Sequence, residues 1–426
     1  MASKMKVTFI IGFLSLMLMA CGGNPQTTDD GRMQLTYWVL FGGGDIDFMQ
    51  SIVDEYNESQ DEVYVNMVLQ DFEDYYTKLV TSVVADRGPD VAVIHGAVLP
   101  EMVNQGLTTP LDSLAATTGL DWNQYNDNIL DAMDIEDEYH GLPVDTHPHI
   151  MYLNTDLAEE AGMVDDDGNL LMDSDSPEDF VELFSRAKET LPEVAPLSLP
   201  TGGGDVFNFW WALYHQMGGT PIFSGDDLID VDVTIDKDVA VEAAEYIKGF
   251  FYEEELVPLH IADFYQEFQS GNAVGIITGV WATGIWEDTE DMNFRAYPIP
   301  TLYEQEAAAG DSHTLIIPDN EDSTDERREA TMEFMEFVTD EGGVTWAGAG
   351  HIPANDEVVE SDEFKELPHR SDYTEVADQV VYPPESIYFN PAETEMVRSI
   401  DEIMADRVTP EEGIDQMVDE LEILIN

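Results

Sequence analysis

Leu35-Thr36-Tyr37-Trp38-Val39-Leu40 is followed, one residue on, by Gly42-Gly43-Gly44-Asp45, and then by Phe48, Ile52, Val53 and Tyr56. The first run is β-branched and aromatic, the composition that fits a pleated, half-buried surface. The glycines supply a turn, Asp45 suits a helix N-terminus, and the four apolar residues recur at helical spacing. Val63 to Leu69 alternates as a second strand. Tyr75 to Ala85 reads as a helix closed by Arg87-Gly88-Pro89, and Asp90-Val91-Ala92-Val93-Ile94 as a short apolar strand. Strands alternating with helices in this way make βαβ units on a parallel sheet, so the fold class is α/β.

A second α/β region follows Gly141-Leu142-Pro143. Ser176 is a plausible cap for a helix starting at Pro177, and Phe207 to Met217 is an aromatic-rich helix. Further helices are expected at Val239 to Tyr252, Arg327 to Thr339 and Glu411 to Ile425. Gly-Gly-Gly-Asp recurs at 202–205, again before a helix, as repeated turn chemistry rather than a longer repeat.

The chain has 426 residues, enough for roughly two or three domains. Its 89 Asp and Glu against 16 Lys and Arg give a formal net charge of −73. That balance excludes binding to nucleic acid and disfavours an anionic membrane surface, since both need clustered cations. An apolar fraction of 43% argues for a folded chain despite the charge. Self-repulsion on such a surface is relieved in molar salt, where the Debye length falls to about 3 Å. Adaptation to a salty medium is the expected reason for the acids.

Lys4 and Lys6 precede an apolar run from Val7 to Ala20, too short to span a bilayer, and Leu18-Met19-Ala20-Cys21 resembles a bacterial lipobox. The sole cysteine stands where lipidation needs a thiol. Residues 1–20 are therefore expected to be a signal peptide. Cys21 is the expected lipidated N-terminus and 21–32 a tether, in a protein anchored outside the cytoplasm. No internal disulfide is possible with one cysteine.

Gly88-Pro89-Asp90-Val91, Gly106-Leu107-Thr108-Thr109-Pro110-Leu111-Asp112, Tyr139-His140-Gly141-Leu142-Pro143 and Tyr152-Leu153-Asn154-Thr155-Asp156-Leu157 come in this order. Phe268-Gln269-Ser270-Gly271-Asn272, Gly279-Val280-Trp281, Pro298-Ile299-Pro300 and Glu336-Phe337-Val338 follow. The series resembles the extracellular solute-binding proteins of ABC sugar importers, the maltose-binding-like family, over nearly all of the mature chain. Asn272 replaces the family's usual Lys, and the segments at 139–143 and 152–157 each carry an extra residue. The resemblance implies a two-lobe periplasmic-binding-protein fold of type II, with discontinuous lobes (33–145 plus 301–347, and 146–300 plus 348–426). The lobes would close on a ligand by a hinge and dock on the transmembrane subunits of a permease. Chain crossings are expected near Pro143–His147, Pro298–Tyr303 and Gly348–Pro353, each rich in Gly or Pro.

Sugars present apolar faces and hydroxyl rims, so a site needs aromatic platforms with polar groups at the edges. Trp38 lies near the end of the first strand, where ligands gather in open α/β sheets. Trp281 occupies the position that the resemblance marks for stacking. Trp210 and Trp211 are adjacent on one helix, so at most one faces the cleft, and Trp210 is the candidate. Asp145 is the acidic contact that the resemblance places at the first crossing. Gln70 and Asp71 end the second strand, His95 ends the third, and His351 stands at the last crossing. His147-Pro148-His149 offers no third ligand at a known spacing, so no metal is expected, nor any cofactor. The sequence lacks the common hydrolase, nucleotide-binding and metalloprotease motifs, so no enzyme activity is expected, a surface polysaccharide-active enzyme being the distant alternative. A sugar ligand and a monomer are the expectation, with a peptide, polyamine or polyol as alternative solutes.

Overall fold

A computed structural model describes residues 27–42, 44–225, 227–259, 261–290, 292–321 and 323–426. The signal peptide, Cys21 and most of the tether lie outside the described residues.

Two sheets carry the two lobes. The first has the order Val63–Leu69, Met33–Val39, Val91–His95, His313–Ile316, Leu142–Pro143. The three strands named in the sequence reading run parallel; His313–Ile316 joins them antiparallel, and Leu142–Pro143 pairs antiparallel with it in turn, both from distant parts of the chain. The second sheet has the order Phe294–Tyr297, His149–Asn154, Ala273–Gly279, Ala195–Ser198. Its period of two separates two cores: Met151 and Leu153 pack on one face, Ile150 and Tyr152 on the other. Both faces of the sheet are thus covered, which explains the continuous apolar run of these strands.

Helix Asp45–Ser59 buries Met49, Ile52, Val53 and Tyr56 against the first sheet, a single stripe as the spacing requires. Helix Gly204–Gln216 differs. Val206, Phe207, Phe209, Trp210, Trp211, Leu213 and Tyr214 are all buried, so it is a core helix with no solvated face. It packs on helices Lys237–Tyr252 and Phe389–Met404. The closing helix Pro410–Ile425 starts from a capping box between Thr409 and Glu412, which satisfies two backbone donors reciprocally.

The lobes join through paired strands. Asp145–Thr146 runs antiparallel to Ile352–Pro353, and the His147 and His149 amides donate to the carbonyls of Asp311 and Ala309 at 2.9 and 2.8 Å. Three chain segments therefore lie side by side at the crossing. Leu302 and Ala309 still pack in the second-lobe core, so the return to the first lobe falls later in the chain than Pro298–Tyr303.

Candidate functional site

A cavity of about 660 Å³ opens between the lobes, beside the crossing strands. Its size is that of small-molecule sites, roughly 300–1,000 Å³. Phe41, Phe72 and Tyr76 of the first lobe face Phe207, Trp211, Trp281 and Phe389 of the second. Five of the nine histidines of the chain line it: His95, His147, His149, His313 and His351. Asp45, Asn208, Asp311, Asn390 and Glu393 add the rest of its amides and carboxylates.

Trp281 is the best-fixed platform. Its Nε1–H donates to Tyr265 Oη at 3.0 Å; Tyr265 Oη lies 2.6 Å from Thr278 Oγ1, which donates to Asp205 at 2.6 Å. His149 stands edge-on to the indole, with ring centroids 5.1 Å apart. The local sequence explains the pose. A Cβ on Gly279 would sit 2.0 Å from the Trp281 ring, so the glycine two residues earlier is what lets the indole fold back over the strand. Gly279→Ala is accordingly expected to displace the indole and weaken solute affinity by about tenfold or more, read by calorimetric titration; unchanged affinity would show that the platform is not used.

Trp210 is corrected by the structure. It is fully buried, its Nε1–H donates to the Ala240 carbonyl at 3.0 Å, and it stacks on Tyr214 within the second-lobe core. Its neighbour Trp211 lines the cavity instead and donates to the Val381 carbonyl at 3.0 Å. The 100° step between adjacent helical residues decides between them, and Phe207, one turn before Trp211, shares its face.

Trp38 is also displaced. It packs half-buried against the first-lobe core, away from the cavity lining, because strand alternation and the register Trp38↔Ala92 direct it to the sheet face. The aromatic that reaches the cavity is Phe41, beyond the strand end, in contact with Trp346 and His313 at ring distances of 4.8 and 5.1 Å. Gln70 and Asp71 likewise stop short. The Gln70 amide extends the sheet by donating to Val39, and Asp71 accepts from the Glu73 amide in a turn. Phe72 and Tyr76, just after them, line the cavity.

His95 does line the cavity. Tyr76 Oη accepts from the His95 amide at 3.1 Å and lies 2.6 Å from His95 Nδ1, so one hydroxyl holds both the backbone and the ring of this histidine. Burial, reinforced by His313 and His147, holds this imidazole well below its ordinary pKa.

Asp145 lies behind the cavity wall, fully buried. Its Oδ1 accepts from His147 Nδ1 at 3.1 Å and from the His313 amide at 2.9 Å. Oδ2 accepts from His313 Nδ1 at 2.8 Å and from Trp346 Nε1 at 2.6 Å. Burial pushes this carboxyl upward, but His313 and His351 and the hydrogen bonds from His147 and His313 outweigh it and hold it well below the usual carboxylate range. His351 is fully buried, lies flat on Trp346 (4.6 Å, 6°) and lines the cavity. Burial pushes Asp311 up to about 6. His147, His149 and His313 were not among the residues singled out for the ligand. Their common signal was position, since His147 and His149 flank the first crossing and His313 follows the second.

A two-lobed α/β protein with an aromatic, polar-edged cavity at its crossing strands is built to hold a small solute. Residues 51–371 match the family of bacterial extracellular solute-binding proteins, and the chain belongs to it. This is a family of binding proteins rather than enzymes. The arabinooligosaccharide-binding protein of Bacillus subtilis (strain 168) is 22% identical, over 98% of this chain and 99% of that protein. The maltodextrin-binding protein MdxE of the same organism is 24% identical over 68% of this chain and 66% of its own length. Among solved structures, the GacH receptor of Streptomyces glaucescens GLA.O superposes with a TM-score of 0.76 at 17% identity, covering 92% of this chain and 98% of that one. UgpB of Mycobacterium tuberculosis, solved with glycerophosphocholine, gives 0.78 at 15% identity, covering 92% and 98%. At these identities the structural likeness fixes the fold, and the ligand has to be argued from the cavity.

Proposed function

We propose that this chain is the substrate-binding lipoprotein of an ABC importer, capturing an oligosaccharide between its lobes and delivering it to a membrane permease. The observation that carries the reading is the aromatic lining that both lobes contribute to the cavity, with Trp281 and Trp211 each held in place by a hydrogen bond from the indole N–H. Flat apolar rings flanked by imidazoles, amides and carboxylates suit the faces and hydroxyl edges of a sugar. The arabinooligosaccharide and maltodextrin binders among the relatives favour an oligosaccharide. A thermal-shift screen of arabino-oligosaccharides, maltodextrins, polyols, polyamines and peptides is the test. Stabilisation by oligosaccharides alone supports the reading, about 2.7 kcal/mol at a hundredfold excess over Kd. Stabilisation by polyamines or peptides alone would replace it.

The lobes are proposed to divide as 33–145 with 311–347 and 146–310 with 348–426, the second crossing moved from 301 to Gly310 because Leu302 and Ala309 pack in the second-lobe core, and to close as a monomer around the solute. Cys21 is proposed as the lipid-bearing N-terminus. Mass spectrometry of the mature protein should find a diacylated Cys21; a free Met1 or an unmodified cleavage product would refute the anchor. The −73 charge is read as adaptation to salt. Desalting from molar to about 10 mM NaCl lengthens the Debye length tenfold to about 30 Å, so the melting temperature should fall by several degrees. A melting temperature independent of salt would remove the halophilic explanation.

A further inference from the structure

Asp145, His147, His313 and His351 are all buried, and one donor atom from each lies within 4.8 Å of the others. They come from the paired crossing strands and the adjoining first-lobe strand, so backbone hydrogen bonds fix their positions. The hydrogen bonding is incomplete. The four donors already named fill the lone-pair sites of Asp145, and nothing remains for His351. Neither ring nitrogen of His351 has a hydrogen-bond partner. Its nearest acidic neighbours are Asp45 Oδ2, 3.4 Å from Nε2, and Asp145 Oδ2, 3.6 Å from Nδ1. Both nitrogens of this buried ring are thus left without an aligned partner, between two carboxylates, a costly arrangement.

A cation resolves both. Its bond to Nδ1 uses the lone pair, and Nε2–H is left to turn toward Asp45, the carboxylate-to-histidine arrangement found around bound metals. The dimensions fit. The three Nδ1 atoms lie 3.1, 2.8 and 3.6 Å from Asp145 oxygens. Ligands around a tetrahedral ion with bonds of about 2.1 Å stand about 3.4 Å apart. His147 and His313 need only move their ring proton from Nδ1 to Nε2, which neutral imidazoles do without loss of charge. Three nitrogens and one carboxylate select a borderline transition metal over Ca²⁺ or Mg²⁺, which prefer all-oxygen shells.

We propose that Asp145, His147, His313 and His351 bind one divalent transition-metal ion of the Zn²⁺ class at the base of the interlobe cavity. The ion ties the crossing strands to the first-lobe sheet. Because the three histidines also line the cavity, the bound metal forms part of its wall. The metal site stands whatever solute the cavity takes. The sequence reading discounted His147-Pro148-His149 for want of a third ligand; the fold supplies it from His313 and His351 and leaves His149 out.

The test uses the full chain, stripped with EDTA and kept in molar NaCl so that surface carboxylates are screened. Titration with ZnCl2 should give one ion per chain by elemental analysis after gel filtration, with a raised melting temperature, and CaCl2 and MgCl2 should not. CoCl2 should produce the intense visible bands of a tetrahedral complex, a readout that needs no variant. His351→Gln should weaken zinc binding at least about tenfold, while Asp165→Asn, in a distant exposed turn, should leave it unchanged. Absence of the cobalt bands, an equal response to Ca²⁺, or unchanged zinc affinity in a folded His351→Gln protein would overturn the assignment. Should that variant fail to fold, the cobalt spectrum and stoichiometry of the unaltered chain decide.

Discussion

Trp281→Ala is expected to weaken oligosaccharide binding by about 30- to 150-fold, or roughly 2–3 kcal/mol, with little change in stability. The indole is half-exposed to the cavity and linked to Tyr265, Thr278 and Asp205, so its orientation is set before any solute arrives. A platform held in advance spends no binding energy on ordering itself, which is why its removal should be felt fully in affinity. Trp281→Phe should recover part of the loss by restoring an apolar face without the Nε1–H. Calorimetric titration of the three proteins separates these effects. If alanine binds as tightly as tryptophan, the stacking role is wrong.

Trp210→Ala should do the reverse. The side chain is fully buried between Phe207 and Tyr214, at ring distances of 5.7 and 5.4 Å, and its indole N–H is satisfied by Ala240. Truncation leaves a cavity in the second-lobe core, for an expected loss of about 3–5 kcal/mol of unfolding free energy. Denaturant unfolding measures it. The protein that remains folded should bind solute with an affinity within a fewfold of the original, since Trp210 does not touch the cavity. A large affinity loss with unchanged stability would return Trp210 to the site and count against the helix orientation described above.

These two tryptophans show what could be read from the sequence and what could not. The opening βαβ pattern, the strands at 63–69 and 91–95 and the helix at Pro177 follow from local periodicity and capping, and these are decided within a few residues. The last two strands of the first sheet were not legible, because His313–Ile316 joins it antiparallel, and Leu142–Pro143 pairs with that strand, from far along the chain. The same non-locality governs the cavity. Strand-end residues Trp38, Gln70 and Asp71 were placed by a rule about where ligands gather, yet the aromatics that arrive there, Phe41, Phe72 and Tyr76, sit in the loops and helix beyond the strands. Trp281 was marked by a local motif, and Gly279 gives that motif its physical cause. Trp210 and Trp211 differ by one helical step, which no composition argument resolves.

The charge has a similar division. Its size is plain from the sequence, and most acids lie on the surface. The carboxylate that matters most to the cavity wall, Asp145, is one of the buried few, surrounded by imidazoles brought in from three segments.

The aromatic cavity between the lobes is proposed to hold an oligosaccharide. Isothermal titration of the purified chain with arabino-oligosaccharides and maltodextrins of increasing length, in molar NaCl, tests it most directly. The account predicts saturable 1:1 binding to at least one of these sugars, with affinity rising over the first few sugar units and reduced by about 30-fold or more in Trp281→Ala. No heat of binding to any member of either series, alongside saturable binding of a polyamine or peptide, would contradict it.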